Sequence, residues 1–454
     1  MKNTALLKHL CLLALPLIGQ NLISVSVGVA DNIMVGSLGE LAVDGVHLAN
    51  QVQNILQMLV MGISAAIILL AAQYWGRRDV KSIKDIVAIG LKVCLVSGGV
   101  INAAVFISPY GVLRVFSDNN EAIAEGIKYL RVMAFSYMFF CVTNTLMASM
   151  RCVEQVRIAL AVSLTTLVVD IGLNYVLIFG HFGFPALGVQ GAAIATLTAR
   201  VIETGIMIVY VRFIDGRLRI RFRELFGFNY GLAKDFFRYG LPVMAGDALW
   251  GLAGSMQGAI MGRLGTETMA AQSVTLMMFQ FVTVVVWGFS GAASVIIGKT
   301  VGSGDVELVK KYARLFQIVF VCVGVLTSLS FLGLRDFMIS LYDFTPETNG
   351  IVKQFMTVMA IATLGTAYHA PCFTGIIRAG GDVSFVIKVD FICAWFVVLP
   401  LAWLSAFVFH HPPVAVFFFL KCDQFFKWII AIVKTNRFKW IKNLTRETEG
   451  GAAL

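Results

Sequence analysis

Residues 15–38 read LPLIGQNLISVSVGVADNIMVGSL, and residues 241–264 read LPVMAGDALWGLAGSMQGAIMGRL. Leu15-Pro16 returns as Leu241-Pro242, Gly36 as Gly262, and Leu38-Gly39 as Leu264-Gly265, each 226 residues further on. Working outward, Val60, Gly62, Ser64 and Ala66 return at 286, 288, 290 and 292; Gly76, Asp79-Val80 and Lys84 return as Gly302, Asp305-Val306 and Lys310. No gap is needed, and the offset divides the 454 residues into two near-equal halves in the same hydrophobic phase. The halves therefore read as parallel repeats, an arrangement typical of transporters that rock around a central site.

Composition fixes the solvent. Hydrophobic residues make up 58% and charged residues 14%, against roughly 45–50% and about 25% in soluble domains. A bilayer crossing takes about 20 apolar residues, and such runs lie near 10–35, 46–72, 86–108, 127–150, 157–180, 188–211, 238–262, 268–297, 311–333, 351–377, 384–408 and 412–434. Lipid offers no partner to backbone N–H and C=O, and the alternation of barrel strands is absent, so each run is predicted helical. The fold class is an all-α integral membrane protein of twelve transmembrane helices in two pseudo-symmetric six-helix bundles. The predicted division is an N-terminal lobe (1–211), a basic linker (212–237), a C-terminal lobe (238–434) and a tail (435–454).

Lys2 and Lys8 before an apolar run resemble a signal peptide, yet the same Leu-Pro run returns in mid-chain, so segment 1 is kept as a membrane helix. The net charge of +10 follows topology. With the N-terminus inside, 26 of the 36 Lys and Arg fall on inner segments, which places both termini in the cytoplasm and the protein in the cell membrane. The linker carries Arg217, Arg219, Arg221 and Arg223 and reads as a lipid-headgroup or regulatory contact or, more plainly, as a solvated linker held by anionic lipid. The tail from Asn443 is expected to fray.

The eight cysteines lie in or beside apolar segments without C-x-x-C spacing and read as packing residues. Six histidines form no ligand pattern, and no phosphate-cradling glycine loop is present. No metal, cofactor or catalytic constellation emerges, and no protein partner or nucleic acid is expected of what reads as a monomer. Energy for transport would come from an ion gradient or a separate subunit.

Ionisable groups within spans are costly in hydrocarbon and mark function. Asp31 lies in the outer half of segment 1. Asp170 and Asn174 share a face of segment 5 at i,i+4, and Thr196 on segment 6 reaches a similar depth. Two carboxylates, an amide and a hydroxyl can hold a shared proton or a dehydrated Na⁺, since two acids side by side at low dielectric do not both ionise easily. The plainer alternative is that they bond helix backbones. At the repeat offset Asp31 becomes Gln257 and Asp170 becomes Phe396, so ion coupling concentrates in the first half.

Other charges read differently. Asp247 suits a cationic substrate, a second ion or a solvated acid. Asp390 reads as solvated or paired beside Lys388. Arg200 with Glu203 and Asp423 with Lys427 form neutralised pairs that staple helices or gate an inner opening. Pro16 and Pro242 lie early in the leading helices and allow kinks, and Gly28, Gly36, Gly62 and their repeats Gly254, Gly262 and Gly288 permit close packing.

These residues carry a resemblance. Leu15-Pro16 through Ala30-Asp31-Asn32-Ile33-Met34-Val35-Gly36, Leu177-Ile178-Phe179-Gly180, Gly188 to Thr196, and Arg378-Ala379-Gly380-Gly381-Asp382 resemble the multidrug and toxic compound extrusion (MATE) family over nearly the whole chain, nearest in pattern to its DinF-like branch. The resemblance implies two six-helix lobes that export cationic or amphipathic drugs in exchange for H⁺ or Na⁺. It maps the family's first-helix aspartate onto Asp31, its fifth-helix Asn/Asp pair onto Asp170 and Asn174 with the types exchanged, and its sixth-helix threonine onto Thr196. A lipid or oligosaccharide flippase of the same superfamily is the alternative; it would want a cationic cavity, and Arg200 is the one clear mid-membrane arginine.

Overall fold

A computed structural model describes residues 3–227, 229–342 and 344–446. Lys2 of the basic count and residues 447–454 of the tail lie outside the described residues. The first half forms α1 (Asn3–Gly36), α2 (Glu40–Gly76), α3 (Val80–Ile107), α4 (Asn120–Cys152), α5 (Arg157–Phe179) and α6 (Val189–Ile214). The second forms α7 (Tyr230–Gly262), α8 (Thr266–Gly302), α9 (Val306–Ser340), α10 (Pro346–Arg378) and α11 (Val383–Val408), then α12 in two pieces, Pro413–Leu420 and Asp423–Asn436. Ten of these are long and apolar enough to cross a membrane. α7, at 33 residues, and the two-piece α12 are the remaining two helices of the predicted twelve.

Local chemistry explains why the repeat keeps the residues it does. Helices starting at 40, 80, 120 and 157 have counterparts starting at 266, 306, 346 and 383, each 226 residues on. Asp79 caps α3 by accepting from Ser82 N, and Asp305 caps α9 by accepting from Leu308 N, with nearly the same backbone angles; a cap of this kind contributes about 1 kcal/mol. Gly39 and Gly265 turn the chain at φ +102° and +116°, a region that favours glycine. Pro371 precedes a π-helical stretch in α10, and Pro400 sits between two such stretches in α11, where widened turns absorb the missing N–H.

Packing divides the molecule differently from the sequence. One compact unit is Met1–Ile18, Ala72–Arg78 and Ala245–Leu454; the other is Gly19–Ala71 and Asp79–Met244. The N-terminal part of α1 thus belongs with the second half of the chain, and that of α7 with the first. Both switches fall just after Pro16 and Pro242. Within the first-named unit, a side chain at Gly288 would strike Ile18 at 2.3 Å; within the other, one at Gly62 would strike Met244 at 2.8 Å. Ile18 and Met244 are themselves repeat-equivalent, so one crossing is made twice. Gly28, Gly36 and Gly254 meet nothing within 4 Å, and their expected role in close packing is corrected.

Two segments read as solvated are docked. α6 runs on to Ile214 and α7 begins at Tyr230, shortening the linker. Asp215 accepts from the backbone N–H groups of Arg217, Leu218 and Arg219, Leu218 and Ile220 are buried, and Arg217 donates to the Val153 carbonyl. Lys84 ties Glu224 at 2.8 Å. Burial pushes the Glu224 carboxyl up, but the Lys84 bond and the Arg221 amide more than offset it and hold it below the usual range. The tail does not fray where it is described: residues 442–446 are held by hydrogen bonds to α2 and to the end of α10.

Candidate ion-coupling site

α6 packs against α4 and α5, and α1 supplies the remaining wall. Asn174 Nδ2 donates to Asp31 Oδ1 at 2.8 Å and to Asp170 Oδ2 at 3.3 Å. The Thr196 hydroxyl faces both the Asp170 carboxylate and the phenol of Tyr129 on α4. The four predicted residues are therefore one cluster, with Tyr129 as a fifth member that the sequence did not flag. A lone tyrosine in an apolar run has no spacing to betray it.

Two members of the cluster are buried, and the cluster is short of donors. Asp170 and Asn174 are each 1% exposed. Asp170 Oδ1 and Asn174 Oδ1 are buried without a hydrogen-bond partner, and a bare buried acceptor costs about 1–3 kcal/mol. Both carboxylates feel the charge of Arg200, yet Arg200 donates to Glu203 at 2.9 Å and lies 4.8 Å from the centre of the Phe140 ring. Among the described residues neither Asp31 nor Asp170 has a cation within ion-pair distance. A proton or small cation is what such a group of oxygens can accept.

The second half handles its acids with fixed cations. Lys427 reaches Asp390 at 2.9 Å and Asp423 at 2.8 Å, so Asp390 pairs across to α12 rather than with Lys388. Asp247, read as a contact for a cationic substrate or second ion or as a solvated acid, meets Arg378 at 3.4 Å. Gln257, the counterpart of Asp31, accepts from Lys421 at 3.4 Å. Of the two neutralised pairs, Asp423–Lys427 joins helices through Asp390. The Arg200–Glu203 ion pair lies within α6, while Arg200 also lies over the Phe140 ring of α4 and Thr204 meets Thr143 on α4 at 2.8 Å. Among the described residues no group of three or more His, Cys, Asp and Glu could hold a metal ion.

The MatE family model matches residues 16–176 and 248–404. A probable multidrug resistance protein NorM of Thermotoga maritima is 25% identical over 443 residues, 97% of this chain and 95% of that protein. A probable NorM of Rhizobium meliloti is 30% identical over 306 residues, 66% of this chain and 64% of that protein. Among solved structures, the Vibrio cholerae MATE transporter VcmN superposes with a TM-score of 0.87 at 16% identity, covering 97% of this chain and 99% of that one. A MOP superfamily transporter from Pyrococcus furiosus gives 0.86 at 17% identity over the same shares.

Proposed function

Because the chain belongs to the MatE family, we propose that it is a multidrug efflux antiporter, exporting cationic or amphipathic organic compounds from the cytoplasm in exchange for an inward-moving cation. The relatives named as multidrug resistance proteins support the substrate class. Both termini are cytoplasmic in this reading, as the distribution of Lys and Arg requires, and the two repeats rock in alternating access.

One observation carries the coupling: Asp31 and the buried Asp170 converge on a single buried amide, and among the described residues no cation lies within ion-pair distance of either acid. Asn174 turns its N–H groups toward both carboxylates, so its own oxygen is directed away from the space between them. That arrangement suits a shared proton better than Na⁺, which needs several oxygens to replace its water. Protonation from outside and displacement by a cationic substrate inside would then alternate.

The test is dye efflux from proteoliposomes with pH and Na⁺ gradients imposed separately. Efflux driven by pH alone is expected, and Asp31→Asn should abolish it while the protein still inserts. Undiminished export by that variant would sink the assignment, and efflux driven by Na⁺ alone would replace the proton. A flippase is the weaker reading, because Arg378 and Lys427 of the second half are already paired with acids.

A further inference from the structure

The segment after α12 has a counterpart in the first half, and the two are used differently. The linker after α6 docks on Val153, just past the end of α4. The tail after α12 docks at the repeat-equivalent place past α10, where Lys442 N donates to the Gly380 carbonyl at 2.7 Å. Trp440 is fully buried there, lying so close to Gly380 that a side chain at that glycine would meet its ring at 2.1 Å. So far both segments are scaffold.

The tail then makes a second set of bonds, to the C-terminal end of α2, which by chain order belongs to the other half. Gln73, fully buried, accepts from Leu444 N at 2.7 Å and donates to the carbonyls of Lys442 at 3.4 Å and Ala379 at 3.2 Å. Its amide thus reads extended backbone as a neighbouring strand would. Tyr74 OH accepts from Arg446 N at 3.0 Å, and Arg77 donates to Thr445 Oγ1 at 2.9 Å and to the Arg446 carbonyl at 3.0 Å. Lys442 adds a 2.9 Å pair with Asp382, which Lys434 also holds at 2.7 Å. Beneath this, α2 and α8 touch backbone to backbone: a side chain at Gly302 would strike the Gln73 carbonyl at 1.8 Å.

We propose that residues 442–446 are a releasable latch that fastens the cytoplasmic end of α2 to the ends of α8 and α10. The fastening is polar, short and near the end of the helices, the kind of contact that opens locally without unfolding the bundle. It rests on the alternating-access reading above, in which an inward opening must part α2 from the second repeat.

Two measurements on the full chain decide it. In nanodiscs, hydrogen exchange should find peptides covering 72–78 and 442–446 protected, and Gln73→Ala should speed exchange in both by about tenfold or more while the middle of α9 is unchanged; unaltered exchange overturns the fastening. In proteoliposomes, Gln73→Cys with Leu444→Cys, joined by a short reducible cross-linker, should stop dye export and recover it on reduction, with the native protein given the same reagent as baseline. Export at the baseline rate by the cross-linked protein overturns release as part of the cycle. A native protein that exports no dye defeats the efflux reading instead, and the exchange measurement then decides the latch alone.

Discussion

Four helices of one half start 226 residues before their counterparts in the other, and the two halves treat their in-span polar residues differently. Where α1, α5 and α6 gather two acids around Asn174 with no cation within ion-pair distance among the described residues, the second half has Gln257 bound by Lys421 and Phe396 exposed. Three acids of the second half have ion-pair partners: Asp247 with Arg378, Asp390 and Asp423 with Lys427. A buried acid with a fixed partner is structural, since breaking such a pair is costly. An acid without one has to take its cation from solution. In the function proposed above, the duplicated frame moves and the exchangeable charge sits in one copy.

The largest effect is expected where the copies differ. Asp170→Asn, like Asp31→Asn, should reduce gradient-driven efflux to the level of empty vesicles with normal membrane insertion. Lys427→Met should act on folding instead, leaving Asp423 buried beside Asp390 without a cation and costing roughly 3–5 kcal/mol, read as lost thermal stability. If Lys427→Met were as stable as the native protein, the structural role of the second-half acids would be lost. Gln257→Asp sharpens the contrast: with Lys421 in reach it should form a fixed pair and leave the ion stoichiometry unchanged, and a raised stoichiometry would mean that Lys421 does not neutralise that position.

Where the copies agree, effects should agree. Gly62→Leu and Gly288→Leu should each destabilise by about 1–3 kcal/mol or more, since both force side-chain atoms into a helix crossing; a harmless substitution at one would show that the crossings are not equivalent. Asp79→Ala and Asp305→Ala should each cost about 1 kcal/mol. The smallest effect is that of pH on the tail. Burial pushes the Asp382 carboxyl up, but the bonds from Lys434 and Lys442 outweigh it and hold the carboxyl below its usual range. A depressed folded value means its contribution is complete above the ordinary pKa of about 3.9 and is lost as pH falls through the lower folded value. Exchange at 442–446 should therefore show no dependence on this group between about pH 5 and 8.

The repeat made the frame legible because caps, turn glycines and close crossings each demand a particular residue at a particular place. Asp79, Asp305, Gly39 and Gly265 could be aligned before their tasks were known. Asp31, Asp170, Asn174 and Thr196 were legible for a different reason, being polar where polarity is expensive. What escaped notice depends on pairing across long stretches of chain. Tyr129 joins the site through α4, and Arg378 meets Asp247 from 131 residues away. Leu444 finds Gln73 from 371 residues away. The docking of the linker and of residues 442–446 is hard to see in the sequence because their arginines and lysines are conspicuous, while the apolar residues and backbone groups that dock them are not.

The claim that the first half holds an exchangeable proton which substrate displaces can be met most directly by measuring proton release as a cationic dye binds the purified protein in weak buffer. The native protein should release roughly one proton per dye bound, and Asp31→Asn should bind dye without releasing any. Equal release by both would contradict the account.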